Sequence, residues 1–367
     1  MLLFIFTFPI DSKTSSSYHS FMIKTGIIGA TGYAGQELVR LLAHHPEVEL
    51  KYISSRSYEG ITFNEVYPNF RNSILEKCVS MDVAEMAEEC DAVFLALPHG
   101  LTFPQITDDI LKKTVVIDLG ADFRLKNPEV YRQWYGLTHT NTELLRKSVY
   151  GLCELHRNEI SGKSLIANPG CYTTCSILSL TPLLKNKLIE VSSIIIDAKS
   201  GVSGAGRSLS LGVHYTECNE SVKAYKVAAH RHTPEIEQEL SLAAGKEITI
   251  NFTPHLIPMS RGILTTSYAN MLTDTTEDEL YRMYKDFYKN EPFIRIVEPG
   301  NLPETRFVRF SNYVDIGFVT DKRTGRAIIV GAIDNLIKGA AGQAVQNMNI
   351  RFGFNETTGL QNIPIVP

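Results

Sequence analysis

The run Met22-Ile23-Lys24-Thr25-Gly26-Ile27-Ile28-Gly29 constrains this chain most, because it reads as a buried strand running into a glycine-rich turn. Gly29-Ala30-Thr31-Gly32-Tyr33-Ala34-Gly35 forms the turn, and Glu37 to Leu42 continues with helical spacing. Glycines there let the backbone bend sharply and approach a ligand. The helix start offers free N–H groups and positive potential, which suit a pyrophosphate. A glycine pattern alone is weak. In a strand–turn–helix setting it points to a dinucleotide site built around Gly29, Thr31, Gly32, Tyr33 and Gly35. The plainer reading is a structural turn.

Strand and helix keep alternating. Residues 48–54 form a second strand, and 91–97 and 114–119 are short apolar runs that each follow a helical stretch. That order predicts a parallel sheet covered on both faces. Beyond residue 165 the pattern changes. Strands are expected at 193–198, 248–252, 262–268, 313–318 and 326–330, with helices at 233–244 and 277–290. These form an α+β unit with a mixed or mostly antiparallel sheet. Residues 339–349 read as a helix with small residues for close packing. A length of 367 residues accommodates two units. The expected division is an α/β Rossmann-type unit over 22–165, completed by about 335–367, and a catalytic and oligomerisation unit over 166–334.

Residues 1–21 stand apart. The apolar run 2–10 is far shorter than the roughly 20 residues of a membrane span, and 11–20 is serine-rich. No basic start precedes the run and no clear cleavage site follows it, so 1–21 is expected to be an extension outside the fold. A net charge of −4 argues against a nucleic-acid surface. The six cysteines are scattered, with no C-x-x-C pair and no His/Cys spacing for zinc. No metal site is expected, and a reduced, cytoplasmic setting fits.

The end of the second strand bears on which cofactor binds. An NAD site places an acidic residue there to bond the ribose hydroxyls. This chain has Ser54-Ser55-Arg56-Ser57, whose hydroxyls and guanidinium suit a 2′-phosphate, so NADP(H) is expected. Arg56 as a solvated surface charge is the alternative. Pro98 and His99 end another strand at the sheet's carboxyl edge, where His99 is either a cofactor contact or a turn histidine.

The chemistry centres on Cys171. It follows Asn168-Pro169-Gly170 at a strand end and opens a helical stretch. A thiol at a helix N-terminus is expected to have a lowered pKa and nucleophilic character. A buried cysteine acting as a small hydrophobe is the alternative. A thiol beside a nicotinamide suggests hydride transfer through a thioester. His230-Arg231-His232 precedes a Thr-Pro helix start and offers an acid/base. The small-residue loop from Lys199 to Arg207, with Ser200 and Gly201, suits close approach to a ligand. Arg124 and Arg207 are candidate substrate-anion ligands.

Together these motifs resemble N-acetyl-γ-glutamyl-phosphate reductase, a relative of aspartate-semialdehyde dehydrogenase, from Met22 nearly to the end. Asp334-Asn335-Leu336-Ile337-Lys338-Gly339-Ala340 belongs to the match. The resemblance implies Cys171 as nucleophile and His230, rather than His232, as acid/base. It implies NADP contacts at Gly29–Gly35, Ser55-Arg56, Ser200-Gly201 and Asn335, and a C-terminal helix that returns to the cofactor unit. It also implies NADPH-dependent reduction of an acyl phosphate by a homodimer or homotetramer. His214, Tyr215, Asn219 and Glu220 are candidates for the substrate pocket. The sequence departs from the pattern at Thr173-Thr174-Cys175, where a second thiol lies one helical turn from the first. Aspartate-semialdehyde dehydrogenase, a lysine-pathway reductase acting on a carrier-bound acyl phosphate, and a non-catalytic cofactor sensor are the competing readings.

Overall fold

The computed structural model describes residues 22–366, so the expected extension over 1–21 lies outside the described residues. The first sheet contains β1 (Ile23–Ile28), β2 (Val48–Ser54), β3 (Ala92–Leu95), β4 (Val115–Asp118), β5 (Val149–Tyr150) and β6 (Leu165–Ala167). Its order is β2-β1-β3-β4-β6-β5, and every pairing is parallel. Both faces are covered, as the continuous apolar runs require. On β3, Ala92 and Phe94 pack with Leu38, Val39 and Ile117, while Val93 and Leu95 pack with Met86, Ile110 and Phe123 on the other face.

The second sheet contains β7 (Ile195–Gly201), β8 (Lys223–Ala224), β9 (Asn251–Ile257), β10 (Ile263–Asn270), β11 (Ile294–Ile296), β12 (Val314–Asp321) and β13 (Arg326–Ile333). Its order is β11-β12-β13-β10-β7-β9-β8. β7–β9 and β11–β12 are parallel pairs and the rest are antiparallel, so the sheet is mixed. Ile196, Ile263, Ile329 and Ile333 face a core shared with the helices Cys171–Lys185, Thr233–Ala244 and Glu277–Phe287, which supply Leu178, Leu183, Ile236, Leu240, Leu280 and Tyr284.

Two expected elements are displaced, each for a visible reason. The strand expected at 248–252 begins at Asn251. Ile248 and Ile250 are buried, but their N–H groups donate to Ser241 Oγ and Glu237 Oε1 rather than to a sheet ladder. The C-terminal helix runs Gly342–Phe352 and is preceded by a turn of π-helix, Ile337–Ala341. There Gly339 N donates to Asp334 O at 3.0 Å and Ala341 N to Leu336 O at 2.9 Å.

This last segment returns to the first sheet. Ala341, Ala344, Val345 and Met348 bury themselves in the core around Leu38 and Ile117. A buried ion pair fixes the return: Lys338 Nζ donates to Glu154 Oε1 at 2.5 Å and to Gln346 Oε1 at 2.8 Å. Both charged side chains are 0% exposed. Removing one partner of such a pair leaves a buried charge uncompensated. Lys338→Ala is therefore expected to cost about 3–5 kcal/mol, with Lys338→Met/Glu154→Leu recovering most of it. Urea unfolding of both variants checks this, and equal losses in the two would contradict it.

Candidate active site

Gly29 carries a positive φ of 82°, and a Cβ there would lie 2.5 Å from Ala96 O. A Cβ on Gly35 would lie 2.3 Å from Gly29 O. The turn is therefore closed to side chains, and the helix Tyr33–Leu42 begins directly behind it. This cradle fits a pyrophosphate. Thr31 Oγ1 meets Ser55 Oγ at 2.7 Å, which joins the turn to the end of β2. Ser54 instead bonds with Met81. Arg56 is exposed and opens a short turn, Arg56–Tyr58, with no ion-pair partner among the described residues.

Cys171 is the first residue of the helix Cys171–Lys185 and is half-buried. The turn before it is tightly held. Arg124 Nε donates to Asn168 O at 2.7 Å and its Nη2 to Leu119 O at 2.8 Å. A Cβ on Gly170 would come 2.5 Å from His232 Nε2 and 2.9 Å from Arg124 Nη1. A Cβ on Gly339 would come 2.7 Å from Cys171 Cβ, so the returning C-terminal segment lies directly against the thiol.

The pKa direction differs from the sequence expectation. Burial pushes the Cys171 thiol up to about 11 and outweighs the backbone N–H groups and Arg124 that pull it down. The imidazoles move the other way. Burial, aided by neighbouring cations, pushes His230 down to about 2 and His232 well below its ordinary value. His230 Nδ1 accepts the His232 N–H at 3.1 Å, and its Nε2 faces the Tyr225 hydroxyl at 3.4 Å. Tyr225 in turn donates to the Tyr172 hydroxyl at 3.2 Å. His232 Nδ1 is buried with no partner among the described residues.

The other expected residues are braced, exposed or engaged elsewhere in the protein. Asn335 accepts from Gly262 N at 2.8 Å and donates to Ser203 Oγ at 2.9 Å, bracing the loop that follows Ser200 and Gly201. Pro98 is exposed, while the His99 ring accepts from Arg231 and lies against Tyr135. Arg124, expected to bind a substrate anion, anchors the turn through backbone carbonyls and Glu235. Arg207, expected as a substrate-anion ligand, contacts Thr31 O, Tyr58 and Tyr67 at the dinucleotide turn. His214, Tyr215, Asn219 and Glu220 are exposed around the short helix Tyr215–Cys218, and His214 bonds locally to Thr216.

Sequence patterning alone gives Glu235 no role. It is fully buried, and Oε1 accepts from Gly170 N at 2.9 Å, Tyr150 Oη at 2.7 Å and Thr173 Oγ1 at 2.9 Å, while Oε2 lies 3.3 Å from Arg124. The one signal for it is an acid beside Ile236 on the buried face of an otherwise amphipathic helix.

Comparison with known proteins agrees with this arrangement. Residues 24–163 match the semialdehyde dehydrogenase NAD binding domain, and residues 171–335 match the semialdehyde dehydrogenase dimerisation domain. An N-acetyl-gamma-glutamyl-phosphate reductase of Campylobacter jejuni is 55% identical over 339 residues, covering 92% of this chain and 98% of the relative. One from Alkaliphilus metalliredigens is 53% identical over 346 residues, covering 94% and 100%. The chain belongs to the N-acetyl-gamma-glutamyl-phosphate reductase family. Its fold is also that of aspartate semialdehyde dehydrogenase II from Vibrio cholerae, with a TM-score of 0.69 at 17% identity over 90% of this chain and 99% of that one.

Within this reductase family frame, Cys175 is a packed residue. Its Sγ lies 3.3 Å from Thr265 Oγ1, and burial pushes its thiol up to about 12. Cys171 is the more open of the two thiols. With its pKa raised, its alkylation by iodoacetamide is expected to keep accelerating from about pH 8 to about pH 10. The rate is read as the difference between the native chain and Cys171→Ser. A plateau near neutrality would mean that the helix terminus, not burial, controls the thiol.

Proposed function

We propose that the chain reduces N-acetyl-L-glutamyl 5-phosphate with NADPH to N-acetyl-L-glutamate 5-semialdehyde and phosphate, through a Cys171 thioester, in arginine biosynthesis. The observation that carries the chemistry is a half-buried thiol on the first residue of a helix, packed against Gly339 of the returning segment, with the uncharged imidazole of His232 against the preceding Gly170 and that of His230 against the following Tyr172. The relatives' shared name supports the substrate. The glycine cradle, Ser55 and Arg56 would hold the cofactor, and Arg56 favours NADP over NAD.

Sulfur attacks the acyl carbon, the bond to the phosphate oxygen breaks, and phosphate departs. The thiol rests protonated, so attack is coupled to loss of its proton. His230 Nδ1 already accepts a backbone N–H, which puts the ring proton on Nε2, facing the Tyr225 hydroxyl; with substrate bound, this neutral ring would turn that donor to the acyl oxygen. The Nε2 edge of His232 lies against Gly170, just before the thiol, which supports His232 in place of His230 as acceptor of the thiol proton. A phosphate dianion beside the imidazoles raises their affinity for that proton. When bound, the nicotinamide supplies the hydride that takes the acyl group to the aldehyde level. The carbon–sulfur bond then breaks and Cys171 is reprotonated, while the departed phosphate takes up one further proton from water, so each turnover consumes one proton. The six free thiols support a cytoplasmic setting, and the dimerisation-domain match supports a homodimer or homotetramer.

The test is the reverse reaction, reduction of NADP by purified protein with N-acetylglutamate semialdehyde. It is expected to require phosphate and to prefer NADP over NAD. Turnover only with aspartate semialdehyde or a carrier-bound substrate would move the chain to a sister activity. Cys171→Ser is expected to abolish turnover while leaving NADPH binding within about twofold, since it removes only the nucleophile. Loss of an oxyanion donor predicts a drop of about 10²–10³ in kcat for His230→Asn. His232→Asn should in addition slow alkylation of Cys171 at neutral pH. A normal alkylation rate in that variant would reassign the proton acceptor.

A further inference from the structure

The loop after β7 crosses from the second sheet to the dinucleotide turn of the first. It is pinned at its start, where Val202 N donates to Met259 O at 2.9 Å, Ser203 N to Ser260 O at 3.1 Å, and Asn335 Nδ2 to Ser203 Oγ at 2.9 Å. Gly206, at a φ of 82°, turns the chain so that Arg207 points across. Arg207 Nη1 donates to Thr31 O at 3.1 Å, the same carbonyl that receives Tyr67 Oη at 2.8 Å. Its guanidinium carbon lies 5.0 Å from the Tyr67 ring centre and 5.5 Å from that of Tyr58.

Two independent links tie this cation to the end of β2. Tyr58 closes the short turn that Arg56 opens, and Thr31 shares its hydroxyl with Ser55 at 2.7 Å. Arg56 and Arg207 are both exposed, and neither has a carboxylate partner among the described residues. Arg207 uses one of its five N–H donors on Thr31. Arg56 follows Ser55 directly and Arg207 reaches the carbonyl of Thr31, whose hydroxyl meets Ser55 Oγ, so two guanidiniums without carboxylate partners lie on either side of one pair of hydroxyls and suit a compact, highly charged anion.

We propose that Arg207 is the second cation of the site for the adenosine 2′-phosphate, reaching it from the other unit of the chain and completing it with Ser55 and Arg56. This rests on the reading of the chain as an NADP enzyme. It makes selection of the phosphorylated cofactor a property of both units, because the cation sits on a loop braced by Asn335.

Calorimetric titration of the full chain with NADPH, NADH, adenosine 2′,5′-bisphosphate and AMP tests it without turnover. Removal of one charge-assisted hydrogen bond predicts that Arg207→Gln weakens NADPH and the bisphosphate about tenfold to a hundredfold. NADH and AMP should stay within about twofold. Arg207→Lys should recover part of the loss, and an unchanged melting temperature should show that the loop contact is not needed for folding. Equal losses for NADPH and NADH, or no loss for either, would overturn the proposal. If the native chain itself binds NADH as tightly as NADPH, the NADP reading fails instead. If Arg56→Gln alone removes the preference, that reading stands and the role of Arg207 falls.

Discussion

The site depends on one carboxylate that has no access to water. A buried ionised group costs several kcal/mol unless its lone pairs are filled. Glu235 meets that demand with donors from four places: Tyr150 on β5, Gly170 in the turn before the thiol, Thr173 on the helix behind it, and Arg124 from the segment after β4. The carboxylate belongs to a helix of the second unit, so satisfying its charge draws both units together at the residue before Cys171. Arg124 is fixed in turn, since its remaining contacts reach the carbonyls of Asn168 and Leu119. The strand, the turn and the thiol are thus positioned by one electrostatic requirement.

The same logic explains how the C-terminal segment is placed. Gly339 packs on Cys171, and that contact requires both a residue without a side chain and a tightly located backbone. The π-helical turn supplies the location. Asp334 Oδ1 accepts the N–H groups of Leu336 and Ile337 at 2.8 and 3.0 Å, and Lys338 is locked to Glu154. Asn168, just before the thiol turn, donates to Ala340 O at 3.1 Å and accepts from Asn347 at 3.1 Å. The nucleophile is therefore bracketed both by its own turn and by residues from the far end of the chain.

Much of this is legible in the amino-acid sequence. β2 and the helix Thr233–Ala244 fall where hydrophobic period places them, and glycine between strand and helix announces the cofactor turn. Elements of two or three residues, such as Val149–Tyr150 and Ile294–Ile296, are too short to show a period. Three further features escape for a shared reason. The direction of the Cys171 shift, the place of Arg207 and the role of Glu235 depend on partners distant in sequence. A helix N-terminus is a local feature and can be read locally. The burial that overrides it at Cys171 is created by Gly339 and the second sheet. Arg207 resembles a substrate ligand because its loop is glycine-rich, yet its direction is set by Gly206 and by anchors at Met259, Ser260 and Asn335.

The two units are held by contacts of different character. At the C-terminal helix the attachment combines apolar burial, with Ala344, Val345 and Met348 each 0% exposed, and buried polar bonds from Gln343 and Asn347 to Gly151 O, both at 2.8 Å. Across the cleft the second unit reaches the first with guanidiniums: Arg207 to Thr31 O, Arg261 to Glu37, and Arg231 to His99. These links are part-buried, so each is screened less than a surface pair, whereas apolar burial scales with the area covered. The returning helix thus joins the units by area and by buried hydrogen bonds, whereas at the dinucleotide turn they meet through cationic side chains. Of these cations, Arg261 is paired with Glu37, whereas Arg207 has no carboxylate partner among the described residues, so the charge that joins the units at the dinucleotide turn is the one left for an anionic ligand to meet.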